Sequence, residues 1–266
     1  MNSSRPVVSI VVVTVNTPAV TQACIESILR HTTVSYELIV INNSRARSIR
    51  KCLKKFRGIK IIQNKKNLGY SKAANQGAIE SNGKFLCFLN SDTLVPPRWM
   101  ERLLKAARLP GVGAVSPLSE WETYRRLGSP QNQNAEIFTE LADMAFQQWY
   151  KNRLKNSRWL CGFCFMIPRS VMACQGLFDE RFFFGWEDID YSLQLRLQGY
   201  RLLKVASLFV YHRRGASSSA KRHRLLVRRA EKLFLSKWSL KFNKKFSKDC
   251  DVFAEVDRQG RLSLAK

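Results

Sequence analysis

In a chain of 266 residues with 45 lysines and arginines against 20 acids, clustered acids are the first candidates for chemistry. Glu187, Asp188 and Asp190 fall within four residues, directly behind the aromatic run Phe182, Phe183, Phe184 and Trp186. Asp92 closes the triplet Asn90-Ser91-Asp92 after the apolar stretch Phe85 to Leu89. His212, one of three histidines, follows a second apolar stretch, Leu202 to Val210. Hard divalent cations take carboxylate oxygen, and manganese also takes imidazole. A positioned carboxylate can also act as a general base. Plainer readings stand beside these. Asp92 suits a turn or a helix cap before Pro96-Pro97, and the three acids suit the positive end of a helix dipole. Neighbours on a helix point about 100° apart, so Glu187 and Asp188 would hold different tasks.

The elements that must carry these residues alternate in type. Val7 to Val13 is a β-branched run suited to a strand buried on both faces. Thr17-Pro18 opens a helical pattern with Val20, Cys24, Ile28 and Leu29 on one side. Tyr36 to Ile41, Ile59 to Ile62 and Phe85 to Leu89 read as further strands, and Ser71 to Ser81 as a helix. A helix after Pro96-Pro97 runs through Met100, Leu103 and Leu104. Past a weakly patterned region, 119–157, with a helical stretch around Ile137 to Tyr150, Trp159 to Ile167 returns to strand character. Asp188 to Gln198 is a helix stopped by Gly199, followed by a strand over Leu202 to Val210. Such alternation predicts an α/β fold with a mostly parallel sheet flanked by helices. The polar clusters Thr14-Val15-Asn16, Asn42-Asn43-Ser44 and Asn90-Ser91-Asp92 all follow strands, so they should meet at one sheet edge, where such folds bind ligands.

The formal charge of +25 should draw the chain toward phosphate-rich surfaces. Nucleic acid is the first rival partner on that ground, but no zinc-finger, RRM or KH signature is present. Seven scattered cysteines do not form a disulfide framework, and Cys161-x-x-Cys164 without a second pair reads as buried strand residues, pointing to a reducing cytoplasm. The apolar runs are too short for a membrane span, and Val7 to Val13 lacks a signal-peptide cleavage site. From Arg213 to Lys248 thirteen basic residues face the single acid Glu231. Leu226, Ala230, Leu233, Phe234, Trp238, Phe242 and Phe246 form one helical stripe there. That stripe would pack on the domain, or the basic face would dock on the anionic inner surface of the cell membrane.

Taken together and in order, the motifs resemble those of the family 2 glycosyltransferases, particularly the bacterial rhamnosyltransferase-like branch. The segments are Val8 to Asn16, Asn67-Leu68-Gly69-Tyr70 with Asn75-Gln76-Gly77, Leu89-Asn90-Ser91-Asp92-Thr93, Phe178 to Asp190, and Tyr211-His212-Arg213-Arg214-Gly215-Ala216-Ser217. The resemblance spans roughly residues 7–240. It implies a GT-A (Rossmann-like) catalytic domain over 1–218, with a nucleotide-binding half 1–118 and an acceptor half 119–218, and a basic amphipathic extension over 219–266.

The implied activity is inverting transfer from a thymidine- or uridine-diphosphate sugar, with rhamnose a reasonable guess, to a saccharide or lipid-linked acceptor in cell-envelope polysaccharide synthesis. Mn2+ or Mg2+ would assist, held by Asp92 and His212. Asp188 stands where the family has its catalytic base, and Glu187 would orient the acceptor beside Trp186 and Phe184. Thr14, Asn16, Asn42, Asn67, Gly69, Asn90, Ser91 and Asp92 would line the nucleotide-sugar site. Asp190 would hold the loop, pairing with Arg196 or Arg181. Asn90 and Asn42 stand where relatives often carry Asp. A sugar nucleotidyltransferase is the other enzymatic alternative, but it would show a glycine-rich loop near the amino terminus, and none is evident.

Overall fold

The computed structural model describes residues 5–118, 134–213 and 220–238. Expectations for residues 119–133, for Gly215, Ala216 and Ser217, and for Phe242 and Phe246 fall outside them. The amino-terminal half alternates strand and helix as the pattern predicts. It runs β1 (Val8–Thr14), α1 (Pro18–His31), β2 (Tyr36–Asn42), α2 (Arg47–Leu53), β3 (Lys60–Gln63), α3 (Tyr70–Ile79), β4 (Phe85–Asn90), β5 (Thr93–Leu94), α4 (Trp99–Ala107) and β6 (Val112–Pro117). The remainder holds α5 (Ala135–Tyr150), β7 (Leu154–Asn156), β8 (Cys164–Pro168), α6 (Arg169–Gln175), α7 (Glu187–Leu197), β9 (Arg201–Val205), β10 (Tyr211–His212) and α8 (Ala220–Lys237).

Eight strands form one sheet in the order β3-β2-β1-β4-β8-β6-β9-β7, and β5 with β10 makes a separate two-stranded ladder. The pairs β3-β2, β2-β1, β1-β4 and β6-β9 are parallel, while β8 runs against both its neighbours and β7 against β9. The expected mostly parallel sheet flanked by helices is therefore the fold.

β1 is buried along its whole length because both faces are covered. Val8, Ile10 and Val12 pack with Cys24, Ile25 and Ile28 of α1 and with Trp99, Met100, Leu103 and Leu104 of α4. Val11 and Val13 pack with Ala73, Ala74 and Ala78 of α3. Each large apolar side chain so buried contributes roughly 1.5–3 kcal/mol. The small residues of α3 let it sit close to the sheet. A Cβ on Gly77 would lie 2.3 Å from Val11 Cγ1.

The two largest boundary differences from the sequence expectation share one reason. The strand expected over Trp159 to Ile167 begins only at Cys164, and the strand expected over Leu202 to Val210 ends at Val205. Both stretches continue apolar beyond the ladder because they are buried under neighbouring elements: Leu160, Phe163, Leu208, Phe209 and Val210 are each at most 2% exposed. Burial, not pairing, sets their composition. The irregular turn Cys161–Phe163 that results becomes part of the site.

Candidate active site

The parallel register brings the polar strand ends together. Thr14 lies opposite Asn42, Val13 opposite Asn90, and Asn42 opposite Gln63. Beyond Asn90 the chain turns into β5, where Thr93 Oγ1 donates to the Asn90 carbonyl at 2.8 Å. β5 pairs antiparallel with β10, setting His212 opposite Thr93, and the Arg213 amide donates to the Asp92 carbonyl at 2.9 Å. The outcome is that His212 Nε2 stands 3.1 Å from Asp92 Oδ1 and 3.3 Å from Asn90 Nδ2. The imidazole lies flat on the Phe163 ring, centroids 5.2 Å apart and 10° between planes. The Asp92 and His212 side chains are 15% and 11% exposed, recessed but open to a small ligand. Among the described residues no group of three or more His, Cys, Asp and Glu converges. A carboxylate and an imidazole nitrogen facing each other at this distance fit a divalent cation completed by phosphate oxygens and water.

The second cluster stands at the start of α7. Gly185 and Trp186 both adopt left-handed backbone, φ 80° and 69°, before the helix begins. For a side chain as large as tryptophan this is a strained conformation, of the kind that gathers at functional sites. It aims Asp188 at the turn before β8. There Asp188 Oδ2 accepts from the Gly162 amide at 2.7 Å, while Oδ1 accepts from the Ile189 amide at 2.9 Å. Gly162 has little room for a side chain: an added Cβ would lie 3.0 Å from Asp188 Cβ and 3.2 Å from its Oδ2.

Glu187 is 9% exposed, and its Oε2 has no hydrogen-bond partner among the described residues. Burial, reinforced by the Asp188 charge, pushes the Glu187 carboxyl up, against the opposing effect of its own and the Gly185 amide. Burial also raises Asp188, but the Gly162 and Ile189 amides favour its charged form. The proton of the pair therefore belongs on Glu187, leaving Asp188 as the carboxylate. Burial first, and the nearby acids second, hold the Tyr70 phenol well above its usual range.

Consecutive residues tie the two clusters into one. Gly162 donates its amide to Asp188, while the Phe163 carbonyl accepts from the Asn90 amide at 2.8 Å and the Phe163 ring carries His212. Neither residue carries a site signal in the sequence, since both lie inside the apolar stretch Trp159 to Ile167.

The remaining predicted site residues divide. Asn42 is fully buried and donates to Gln63 Oε1 at 2.7 Å, while its own Oδ1 finds no partner among the described residues. A buried carbonyl oxygen left unsatisfied costs about 1–3 kcal/mol. Asn16 is exposed with φ 51° and accepts a hydrogen bond from the Ser44 hydroxyl. Ser91 is half-buried beside Asn90 and Asp92. Thr14 adjoins the site by its backbone only, since its buried hydroxyl is bonded to Thr21 Oγ1 at 2.6 Å.

Asn67 and Gly69 belong to a loop locked by Asn43 of the polar cluster that follows β2. Asn43 Nδ2 donates to Asn67 Oδ1 and to the Gly69 carbonyl, both at 3.0 Å, and its Oδ1 accepts from the Leu68 amide at 2.9 Å. Gly69 was expected to let a nucleotide approach its backbone, yet its open face is covered by Phe183. An added Cβ would lie 2.8 Å from the Phe183 carbonyl oxygen, and the Tyr70 amide donates to that oxygen at 2.7 Å.

The aromatic run is drawn largely into packing. Phe182 is fully buried, and Trp186 lies against Phe234 of α8 at 5.1 Å between centroids. Phe184 contacts His223 of α8 at 5.2 Å. Asp190, 1% exposed, pairs with neither Arg196 nor Arg181 as expected. It accepts from Lys237 Nζ at 2.8 Å, Trp238 Nε1 at 2.9 Å and Gln194 Nε2 at 2.6 Å. Lys237 also donates to Asp179 at 2.9 Å, and Arg181 is taken up by that same Asp179. Its hydrogen bonds from Arg181 and Lys237 hold the Asp179 carboxyl well below the ordinary range. The end of α8 is thereby clasped to the helix that carries Glu187 and Asp188.

A two-halved site of this kind, at the carboxyl edge of a parallel sheet, is that of a GT-A-type transferase fold. Residues 9–176 match Glycosyl transferase family 2, and the chain belongs to that family. It is 27% identical over 227 residues to the O-antigen biosynthesis protein RfbC of Myxococcus xanthus, covering 81% of this chain but only 18% of that protein. It is 26% identical over 207 residues to the N-acetylglucosaminyl-diphospho-decaprenol L-rhamnosyltransferase of Mycobacterium tuberculosis, covering 68% of this chain and 67% of the relative. In three dimensions it resembles the mannosyltransferase PcManGT from Pyrobaculum calidifontis, solved with GDP-Man and Mn2+. That likeness has a TM-score of 0.59 at 17% identity, over 91% of this chain and 67% of the other.

Proposed function

We propose that this chain transfers a glycosyl group from a nucleoside-diphosphate sugar to a hydroxyl of a saccharide or lipid-linked acceptor, with inversion at the anomeric carbon. The observation that carries the reading is the turn Gly162-Phe163, which sets a carboxylate on one side and the Asp92–His212 pair on the other. Transfer needs both, in fixed relation: one part to bind the diphosphate and one to take the acceptor's proton. Asp92 and His212 would hold Mn2+ or Mg2+, which when bound neutralises the charge of the leaving diphosphate.

Asp188, kept ionised by two amide donors, accepts the proton of the attacking hydroxyl. Glu187, holding its own proton, orients the acceptor and keeps a second negative charge away from Asp188. The unsatisfied Asn42 Oδ1 suits the imide N–H of uracil or thymine, which supports a uridine- or thymidine-diphosphate donor. Rhamnose is the sugar to test first, on the strength of the mycobacterial relative's name. Exposed Arg224, Arg228 and Lys232 on α8 support an anionic membrane surface as the place of work. None of the described helices is long and apolar enough to cross a membrane.

The test is a thermal-shift panel of nucleoside diphosphates with and without Mn2+, followed by transfer assays on Asp188→Asn. Metal-dependent stabilisation by one base is expected, with turnover falling by about 10²–10⁴-fold in the variant while nucleotide binding persists. Release of pyrophosphate, or wild-type turnover by Asp188→Asn, would overturn the reading.

A further inference from the structure

A single guanidinium reaches both chain segments that carry the Asp92–His212 pair. The β5–β10 ladder sets Thr93 opposite His212 and Leu94 opposite Tyr211. Continued at the same register, it would set Pro96 opposite Phe209 and Pro97 opposite Leu208. Neither proline has an N–H to give, and the ladder stops after two residues. Arg102 of α4 stands where it stops. Its Nη2 donates to the Pro97 carbonyl at 3.1 Å, and Pro97 is five residues beyond Asp92. Its Nη1 donates to the Ser207 carbonyl at 2.9 Å, and Ser207 is five residues ahead of His212. The guanidinium thus supplies the donors that the two prolines lack, and it does so to both segments at once.

Asp143 of α5 fixes the guanidinium in turn. Asp143 Oδ1 accepts from Nη1 at 3.0 Å and Oδ2 from Nη2 at 2.7 Å, a bidentate pair 2% exposed on the aspartate side. The same carboxylate accepts from the Phe209 amide at 2.9 Å and from Gln147 Nε2 at 2.9 Å. Arg102 Nε donates to the Arg98 carbonyl at 3.2 Å, so all five N–H groups of the side chain are engaged. A planar fork with every donor taken cannot slide, and its bonds to a buried carboxylate are the strong, charge-assisted kind. The Phe209 ring also lies on Phe138 and Phe146 of α5, centroids 5.9 and 5.6 Å apart. That packing seats the segment ahead of β10 on the helix, but it does not tie it to the segment after β5.

We propose that Arg102, held by Asp143, is a positioning residue that sets the spacing of Asp92 and His212, and through it the fit of that pair to a divalent cation. A two-residue ladder is marginal without support, and Arg102 supplies the support from outside the site. Lysine could meet Asp143 as a point charge, but it has no fork with which to hold the two carbonyls in one plane. The fit to a cation rests on the glycosyl-transfer reading; the spacing of the two side chains does not.

The test has two readouts, one of them free of metal. With three histidines in the chain, the His212 imidazole signal is the one lost from proton–carbon correlation spectra in His212→Ala. Stacking on Phe163 should hold that signal upfield. Arg102→Lys should move it toward the position of a free imidazole. The same variant should weaken Mn2+-dependent binding of uridine or thymidine diphosphate by about tenfold in calorimetry, with metal-free binding unchanged. Arg102→Met/Asp143→Leu replaces the ion pair by apolar side chains and strands no buried charge, so it should stay folded and show both effects at least as strongly. All measurements are made well below the melting temperature, where a purely structural role would leave the His212 signal and the Mn2+ affinity in place. An unmoved His212 signal in both variants would overturn the proposal, as would unchanged Mn2+ affinity in both beside a loss in Asp92→Ala. A moved signal, with Mn2+ affinity indifferent to Asp92→Ala as well, would sink the cation reading and leave the positioning role standing.

Discussion

His212 Nε2 lies 3.1 Å from Asp92 Oδ1, held there by a ladder of only two residues on each side. The two residues are 120 positions apart in the chain, and neither carries the other's position in its local sequence. Phe163 supplies the third constraint by stacking under the imidazole. If this pair holds the cation, Asp92→Ala and His212→Ala should each weaken Mn2+-dependent nucleoside-diphosphate binding by about 10–100-fold, as measured by calorimetry. In the absence of metal both variants should bind the nucleotide as the unsubstituted chain does. A loss of equal size without metal would mean that the pair contacts the nucleotide or merely supports the fold.

Gly162 is the small residue whose replacement bears most directly on Asp188. Gly162→Ala places a methyl group against the Asp188 carboxylate, which must move by a few tenths of an ångström or turn away. Displacement of a catalytic group on this scale should lower kcat by about ten- to a hundredfold. Nucleotide binding, which does not use Asp188, should hardly change. Unaltered turnover in Gly162→Ala would remove Gly162 from the machinery.

Glu187 gives a prediction for pH. Its carboxyl is pushed up to about 8 from an ordinary 4.5, by burial first and by the Asp188 charge second. Between those values the folded chain binds more protons at this group than the unfolded chain does. Its contribution to stability therefore falls as pH rises through that window. Glu187→Gln imitates the protonated form and should lose this dependence. Relative to the unsubstituted chain, the variant should gain up to about 4 kcal/mol between pH 5 and pH 9 in denaturant titrations, at about 1.4 kcal/mol per pH unit of the window. Parallel pH profiles for the two proteins would contradict the assignment of the proton to Glu187.

The clasp between α8 and α7 is open to a double-mutant cycle. Lys237→Met leaves the buried Asp190 carboxylate with only Trp238 and Gln194, and should cost about 3 kcal/mol. Adding Asp190→Asn removes the stranded charge, so the pair of substitutions should cost clearly less than the sum of the singles. Strict additivity would show that Lys237 and Asp190 do not stabilise one another.

The legible parts of this molecule were those set by local pattern. β1, α1, β2 and α4 each announce themselves by periodicity, because a strand buried on two faces must be apolar throughout and a surface helix only on one stripe. The polar ends of β1, β2 and β4 follow from the same alternation, and so does their gathering at one edge. Family resemblance then marked Asp92, Asp188 and His212 as residues to watch.

Which partners those residues meet was decided by contacts between distant segments. Asp190 could be expected to take an arginine nearby in sequence, but the lysine that reaches it comes from the far end of α8. Gly69 is expected to line the nucleotide-sugar site, yet Phe183 rests on it and its backbone is left-handed. The turn Gly162-Phe163 sits inside an apolar stretch whose composition reports burial alone. Only the antiparallel insertion of β8 beside β4 brings its two amide planes to Asp188 and Asn90. Sequence by itself determined which segments are buried and where strands end, since these depend on the residues' own solvation and backbone preferences. Tertiary structure alone decided the hydrogen-bond partners and the protonation of Glu187, since both depend on what the rest of the chain packs around a side chain.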